Sequence, residues 1–300
     1  MTAEEQPVRL RRSDIALGAR LLRATRVVDT AARLFDRLRS RLVVSLASDR
    51  FLHEYNDLAY GKSDRYVLSA SDASLMPWED EVVERFFPKS PARLLIGGAG
   101  GGREVFALAR RGYEIVAFDP SPLMVSSMAA QIGCQPILAF RARFETLPLL
   151  ESASTRGRGH DSSDETRPAS DCAVTNLSEM GRFDAALLGL TSFSHLRYEN
   201  DRIKVLAEFA RVTAGPIVLS FFHAPAPGAI SPHRSKRRGK ALAHFAAGRL
   251  PAPEGDRFSI GIGYYHTFRR DELERLFERA SLSILHLDLE ANWSHAVVIR

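Results

Sequence analysis

The chain contains little cysteine and no long uninterrupted apolar run. Its 300 residues include only Cys134 and Cys172, too few for a disulfide framework or a cysteine-based metal cluster. We therefore expect a reducing, cytoplasmic environment and a buried thiol at Cys134. No apolar run approaches the roughly 20 residues that a membrane-spanning helix needs. The N-terminus also lacks the apolar centre of a signal peptide, so the sequence predicts a cytoplasmic globular protein without a membrane span.

Acidic residues are outnumbered by basic ones, and the formal net charge is +5. The excess is mainly arginine in the first fifty residues and in the segment HRSKRRGK at 233–240. A basic surface can bind a polyanion such as nucleic acid. An arginine-rich composition is also what a GC-rich genome produces, and we favour that explanation. The 45% hydrophobic content is enough for one large domain with appendages.

Residues 93–125 hold the most informative pattern of the chain. An apolar run (Leu94–Ile96) leads into six small residues (Gly97–Gly102), a helical pattern follows, and a second apolar run ends at Asp119. This order predicts a strand, a glycine turn, a helix, a second strand and an acid. Glycines let backbone N–H groups approach a ligand closely, and the carboxylate can bind a ribose diol. The segment therefore predicts half of a nucleotide-binding site.

The spacing of the glycines distinguishes two ligand classes. A dinucleotide fingerprint, G-x-G-x-x-G, would put Arg103 where its third glycine belongs. The spacing that fits is Gly98-x-Gly100-x-Gly102, which resembles motif I of the class I S-adenosylmethionine-dependent methyltransferases. In that resemblance Asp119 corresponds to the acid that binds both ribose hydroxyls. The resemblance covers about residues 90–300 and implies S-adenosylmethionine as cofactor.

The same resemblance implies an α/β fold, a Rossmann-like, doubly wound, seven-stranded and mostly parallel sheet with one antiparallel strand in the edge region, plus N-terminal helices. We expect an N-terminal helical and lid segment at 1–88 and the methyltransferase domain at 89–300. The domain carries a mobile insertion at 151–180, rich in small polar residues, and a second insertion at 224–260 that forms a substrate cap. Strands are predicted near 92–97, 115–119, 136–140, 183–188, 216–222, 284–289 and 294–299.

Two positions depart from the family pattern. Ile96 stands where the family usually has an acid that helps to hold the methionine part of the cofactor, and Glu104 lies too far round the turn to be an obvious replacement. Arg143 stands near the usual acceptor for the adenine amino group. Arginine cannot accept a hydrogen bond, so we expect a backbone carbonyl or Glu145 to do so.

The segment before the domain suggests two further features. Residues 14–46 have apolar side chains at helical spacing. This predicts a helix that packs on the domain edge or on a second subunit, as in a homodimer, in preference to a membrane surface. Tyr55 and Tyr60 resemble the lid of many small-molecule methyltransferases, in which a tyrosine closes over the cofactor. Simple packing of these rings is the alternative.

Ligands of a doubly wound sheet lie beyond the carboxyl ends of its strands. That rule, together with the family resemblance, selects the candidate cofactor-binding residues. They are Gly98, Gly100, Gly102, Asp119, Pro120, Met124, Phe144, Glu145, Leu190 and Tyr55.

Three histidines also fall near strand ends. Methyl transfer to a hydroxyl or a cationic amine releases a proton, and histidine is a suitable base at neutral pH. We expect the base to be His195 or His266, with Tyr264, Tyr265 and His223 shaping the substrate pocket; a structural role is the alternative for each histidine. The three lack the short spacing of metal ligands, so no metal is predicted.

The sequence thus favours a methyltransferase acting on an oxygen or nitrogen of a small molecule. One alternative is a nucleic-acid methyltransferase that uses the basic segment at 233–240. The absence of an Asn/Asp-Pro-Pro-aromatic signature for base amino groups speaks against nucleic acid as a partner. The other alternative, suggested by Ile96 and Arg143, is a methyltransferase-like binding protein without activity.

Overall fold

The computed structural model describes residues 12–61, 69–152, 174–224, 253–291 and 293–300. The chain divides into two compact units. The described part of the first unit is the long helix α1 (Arg12–Leu46), and all other described residues belong to the second. The division falls after Leu46, whereas the sequence predicts an N-terminal segment that ends at residue 88. The described residues between these two positions belong to the second unit. No helix among the described residues combines the length and apolar character needed to cross a bilayer.

The second unit alternates helices and strands along the chain. Its helices are α2 (Asp49–Gly61), α3 (Pro77–Phe86), α4 (Arg103–Ala109), α5 (Pro122–Ala129), α6 (Glu199–Val212) and α7 (Arg270–Arg279). Its strands are β1 (Arg93–Gly97), β2 (Glu114–Asp119), β3 (Ile137–Arg141), β4 (Leu149–Ser152), β5 (Val174–Asn176), β6 (Ala185–Leu188), β7 (Ile217–Ser220), β8 (Phe222–His223), β9 (Asp256–Ser259), β10 (Gly263–Phe268), β11 (Ser283–Asp288) and β12 (His295–Ile299).

The main sheet has the order β11-β12-β7-β6-β1-β2-β3-β4-β5. The central strands β7, β6, β1, β2 and β3 are parallel, and β12 is antiparallel to both of its neighbours. The predicted seven-stranded, mostly parallel, doubly wound sheet with one antiparallel strand is therefore confirmed. Two short antiparallel strands, β4 and β5, extend it beyond β3. A smaller sheet of order β8-β10-β9 lies in the same unit.

The central strands are buried on both faces. Along β1, Leu95 contributes to the hydrophobic cluster that contains residues of α6 and α7, whereas Leu94 and Ile96 contribute to the cluster that contains residues of α3 and α4. This follows from the alternation of side chains along a strand. Ile96 is completely buried, which explains why an apolar residue is suited to this position.

The structure corrects several local predictions. Cys134 is exposed because it lies in the turn between α5 and β3, and not within a strand. The segment 151–180 is ordered at both ends, where β4, β5 and a 3₁₀ turn at Leu177–Met180 lie. The segment 224–260 likewise ends in strand β9. Their central parts, 153–173 and 225–252, lie outside the described residues.

Candidate functional site

The glycine turn connects β1 to α4 and faces an open region at one point. Gly98, Gly100 and Gly102 have φ values of 67°, 53° and 93°, a region that side chains other than glycine rarely adopt. A Cβ atom at Gly100 would meet nothing within 4 Å, whereas one at Gly98 would lie 2.5 Å from the Cβ of Ser192. The backbone at Gly100 is therefore accessible to a ligand.

Asp119 ends β2 directly beside this turn. Its Oδ2 accepts a hydrogen bond of 2.8 Å from the N–H of Gly100, and its Oδ1 accepts one of 2.9 Å from the N–H of Ser121. Burial raises the pKa of Asp119 to about 6, although both hydrogen bonds favour the ionised form. Each oxygen keeps a second lone pair for a ligand. The carboxylate and the turn thus form one polar unit.

The loop after β6 closes against the other side of the glycine turn. The N–H of Gly189 donates to the carbonyl oxygen of Gly97 at 2.7 Å, and a Cβ at Gly189 would lie 2.4 Å from the carbonyl oxygen of Gly98. Thr191 has a φ of 54°, a strained conformation of the kind that often occurs at functional sites. The buried Oγ of Ser192 has no hydrogen-bond partner among the described residues. Sequence reasoning missed Ser192, because a lone serine carries no motif.

The carboxylate of Glu104, which the sequence does not favour as a replacement for the family's acid, reaches this loop. It accepts a hydrogen bond from the N–H of Leu190 and is nearly fully buried. Arg103 pairs with Glu104 at 2.6 Å and with Glu79 at 2.6 Å. Burial raises the pKa of Glu104, with the nearby charge of Arg103 opposing the shift. The side chain can turn back because it starts in the first turn of α4, directly after the glycine turn.

Helix α2 adds polar side chains to the same region. Asn56 holds both backbone groups of Tyr264: its Oδ1 accepts from the N–H at 2.8 Å, and its Nδ2 donates to the carbonyl oxygen at 3.2 Å. Asp57 forms an ion pair with Arg143. Both charges contribute to the pKa of Asp119, which places them near that carboxylate. An acid from α2 therefore lies beside Arg143.

The two tyrosines of α2 have different surroundings. The hydroxyl of Tyr55 donates to the carbonyl oxygen of Ile260 at 2.9 Å, and its ring packs on Phe258 with centroids 4.9 Å apart. The ring and hydroxyl of Tyr55 thus contact the β9–β10 hairpin, and its closure over the cofactor stays a prediction. Tyr60 instead contacts His195, with 2.8 Å between its hydroxyl and Nε2.

The neutral ring of His195 accepts a hydrogen bond through one nitrogen and donates one through the other. Its Nδ1 lies 2.7 Å from the carbonyl oxygen of Tyr264. A carbonyl can only accept, so Nδ1 carries the hydrogen and Nε2 accepts from the Tyr60 hydroxyl. Burial lowers the pKa of His195, and the bond to the carbonyl only partly offsets this. The ring is therefore neutral at physiological pH, and the lone pair of Nε2 faces the Tyr60 hydroxyl.

His266 has the opposite environment. It is 3% exposed, its Nδ1 lies 2.6 Å from Asp256, and its Nε2 lies 2.9 Å from Glu272. Glu272 also pairs with Arg202. Burial opposes ionisation of Glu272, but His266 and Arg202 together hold its pKa below the usual range. Both ring nitrogens contact carboxylates, which fits the structural alternative for His266; its role as a base stays a prediction.

Tyr264 belongs to the same buried network. Its hydroxyl donates to Asp256 at 2.9 Å, and burial raises its pKa well above the usual range. The contact between its side chain and a substrate stays a prediction, while its backbone bonds to Asn56 and His195. Tyr265 alternates to the other side of β10 and packs on Phe222, with centroids 4.8 Å apart.

The remaining predicted residues differ in their burial and surroundings. Phe144 packs against Phe118 and Phe209 in the core beneath the glycine turn. Among the other candidates, Met124 is 1% exposed, while Pro120 and Leu190 are half-buried and Glu145 is exposed. His223 lines a separate cavity of about 290 Å³ together with Trp293, and burial lowers its pKa.

Comparison with known proteins gives structural matches only. Neither a protein-family model nor a curated protein matches the sequence. The CcbJ methyltransferase from Streptomyces caelestis is similar to the chain at 13% identity and a TM-score of 0.48, covering 82% of this chain and 97% of its own. CalS10, a SAM-bound amino pentose methyltransferase from Micromonospora echinaspora, gives 16% identity, a TM-score of 0.45, and coverage of 85% and 98%. A SAM-dependent methyltransferase from Methanosarcina mazei gives 15%, 0.45, and coverage of 75% and 96%. At TM-scores below 0.5 these likenesses carry no conclusion about activity.

Proposed function

We propose that this protein transfers a methyl group from S-adenosylmethionine to an oxygen or nitrogen of a small molecule. One observation carries the proposal: the N–H of Gly100 donates to the buried carboxylate of Asp119 at 2.8 Å, and the side of Gly100 on which a Cβ would stand is open. A turn that only reversed the chain would need neither the buried acid nor three glycines with positive φ. An adenosine ligand uses both, through backbone N–H groups and its ribose diol.

The residues around the turn fit the other parts of that cofactor. The Oγ of Ser192, which has no hydrogen-bond partner among the described residues, and the carboxylate of Glu104 supply acceptors for its amino group. They do the work of the family's usual acid, whose position is Ile96 in this chain. Asp57, paired with Arg143, supplies the acceptor for its adenine amino group. When bound, S-adenosylmethionine supplies an electrophilic methyl group on a positively charged sulfur.

The pair of Tyr60 and His195 takes up the proton that the methyl acceptor releases. A substrate hydroxyl or ammonium group gives its proton to the Tyr60 oxygen as the hydroxyl proton of Tyr60 passes to Nε2 of His195. The carbonyl oxygen of Tyr264 then stabilises the imidazolium through Nδ1–H. Asn56 fixes that carbonyl and so orients the ring.

The direct test is transfer of tritium from methyl-labelled S-adenosylmethionine to pools of phenols, hydroxy acids, amino sugars and primary amines, with RNA as a separate pool. We expect transfer to at least one small-molecule pool and its loss in Asp119→Asn. Asp184→Asn is the matched control, because Asp184 also accepts a backbone N–H bond, at the amino ends of the strands β1 and β6. Transfer to RNA alone would favour the nucleic-acid alternative. Cofactor binding without transfer to any pool would favour the binding-protein alternative.

A further inference from the structure

The last two strands bring two histidines and an aspartate together, away from the glycine turn. His286 and Asp288 lie two residues apart on β11, so their side chains share one face. The antiparallel pairing sets Asp288 opposite His295 at the start of β12. One candidate ligand atom from each of the three residues lies within 4.8 Å of the others.

Neighbouring backbone groups orient two of these side chains. Nδ1 of His295 lies 2.9 Å from the carbonyl oxygen of Trp293, so Nδ1 carries the hydrogen and Nε2 keeps a lone pair. Oδ1 of Asp288 accepts from the N–H groups of Glu290 and Ala291, both at 2.9 Å, which leaves Oδ2 for a ligand. Metal-binding histidines usually donate their second N–H to a carbonyl or carboxylate in this way.

The surrounding wall is aromatic and contains an unsatisfied donor. The indole of Trp78 stacks on His295, with centroids 4.6 Å apart, and Phe86 lies beside His286. These residues line a cavity of about 250 Å³ that also includes Glu81. The buried Nε1 of Trp78 has no hydrogen-bond partner among the described residues. An indole N–H can only donate, so a bound water or hydroxide would satisfy it.

We propose that His286, Asp288 and His295 bind a divalent transition-metal ion, with Zn²⁺ as the favoured ion, and leave its fourth position to water. Two imidazole nitrogens favour Zn²⁺ over Mg²⁺ or Ca²⁺, which prefer oxygen ligands. Bonds of about 2.0–2.2 Å require the ligand atoms to move closer together than they are here. The half-buried ring and carboxylate on β11, those of His286 and Asp288, can close that gap by side-chain rotation. This site is independent of the proposed methyl transfer.

The two tryptophans of the chain make the site directly observable. Trp78 stacks on one ligand, and Trp293 accepts the hydrogen bond of the same ligand; the sequence contains no other tryptophan. Titration of the metal-free, tag-free chain with Co²⁺ should quench this fluorescence and produce the visible absorption of tetrahedral cobalt. Calorimetry with Zn²⁺ should give one site per chain at micromolar or lower concentration, and millimolar Mg²⁺ should not compete.

Variants separate this site from adventitious binding by other histidines. His286→Ala and Asp288→Asn should each weaken Zn²⁺ binding by about 100-fold or more. Neither side chain is buried in the core, so both variants should keep the wild-type circular dichroism spectrum. His223→Ala, whose ring lines the neighbouring cavity, should bind Zn²⁺ as the wild type does. Unchanged affinity in His286→Ala, or no saturable binding by the wild type, would overturn the proposal.

Discussion

The loop after β6 and the strand β10 each hold a histidine that the sequence offers as the base, yet the two rings have different hydrogen-bond partners. His195 has one nitrogen on a carbonyl and the other facing the Tyr60 hydroxyl. His266 is held on both sides by carboxylates. The partner of the second nitrogen therefore separates a ring that can take a proton from one that holds the fold together. Position along the chain does not reveal that partner.

The largest expected difference between the two histidines is in how much each contributes to the free energy of unfolding. His266→Ala leaves the buried carboxylate of Asp256 and the half-buried carboxylate of Glu272 without their shared partner, and breaking a buried charged network costs about 3–5 kcal/mol. Urea denaturation should show this loss in the free energy of unfolding. His195→Ala removes only ordinary hydrogen bonds and should cost about 1–2 kcal/mol. Equal losses in the two variants would break the comparison.

The next effect is on turnover with an acceptor identified in the transfer assay. General-base catalysis contributes about 100-fold or more, so His195→Ala should lower kcat by about that factor. Affinity for S-adenosylhomocysteine, measured by calorimetry, should change little, because His195 contacts Tyr60 and the backbone of Tyr264. His223→Ala is the histidine control, since its ring lines a separate cavity. A larger loss of kcat in the control than in His195→Ala would reassign the base.

The pH dependence of cofactor affinity tests the glycine turn itself. Burial raises the pKa of Asp119 to about 6, and protonation removes an acceptor for the ribose hydroxyls. Affinity for S-adenosylhomocysteine should therefore rise with pH through about 6 and level off above it, with binding about tenfold weaker at pH 5 than at pH 8. Calorimetry at several pH values checks this. In Asp119→Asn the profile should be flat, and a slope retained there would point to another group.

The smallest effect is expected at Tyr55, and it separates the two tyrosines of α2. Tyr60→Phe removes the hydroxyl that passes the proton to His195 and should lower kcat by about as much as His195→Ala, about 100-fold. Tyr55→Phe removes a hydroxyl bonded to Ile260 and should leave kcat within twofold of the wild type. Steady-state kinetics on both variants checks this. The reverse ranking would restore Tyr55 as the tyrosine of the site.

The local pattern around the glycine turn could be predicted from sequence because its determinants are neighbours along the chain. Strand, turn, helix, strand and Asp119 lie within about thirty residues, and their order leaves few arrangements. The seven-stranded sheet follows from the same alternation continued along the chain. The direction of the Glu104 side chain could not be predicted, because its carboxylate contacts Leu190, which follows a different strand.

The partners of the histidines could not be predicted because they come from distant segments. Tyr60 and His195 lie 135 residues apart, and no local pattern links them. A signal existed for His266: Tyr264, His266 and Phe268 alternate along β10 and are all buried. A period-two pattern indicates one face of a strand, which would have placed His266 with the core. His286 and Asp288 carry the same period, which could have indicated a shared face.

The most direct test of the central claim is calorimetric titration of S-adenosylhomocysteine into the wild type, Asp119→Asn and Asp184→Asn at pH 8. The geometry of Gly100 and Asp119 predicts one site per chain in the wild type and in Asp184→Asn. It predicts affinity at least tenfold weaker in Asp119→Asn, the loss of one charged hydrogen-bond acceptor. No binding by the wild type, or equal binding by all three, would contradict it.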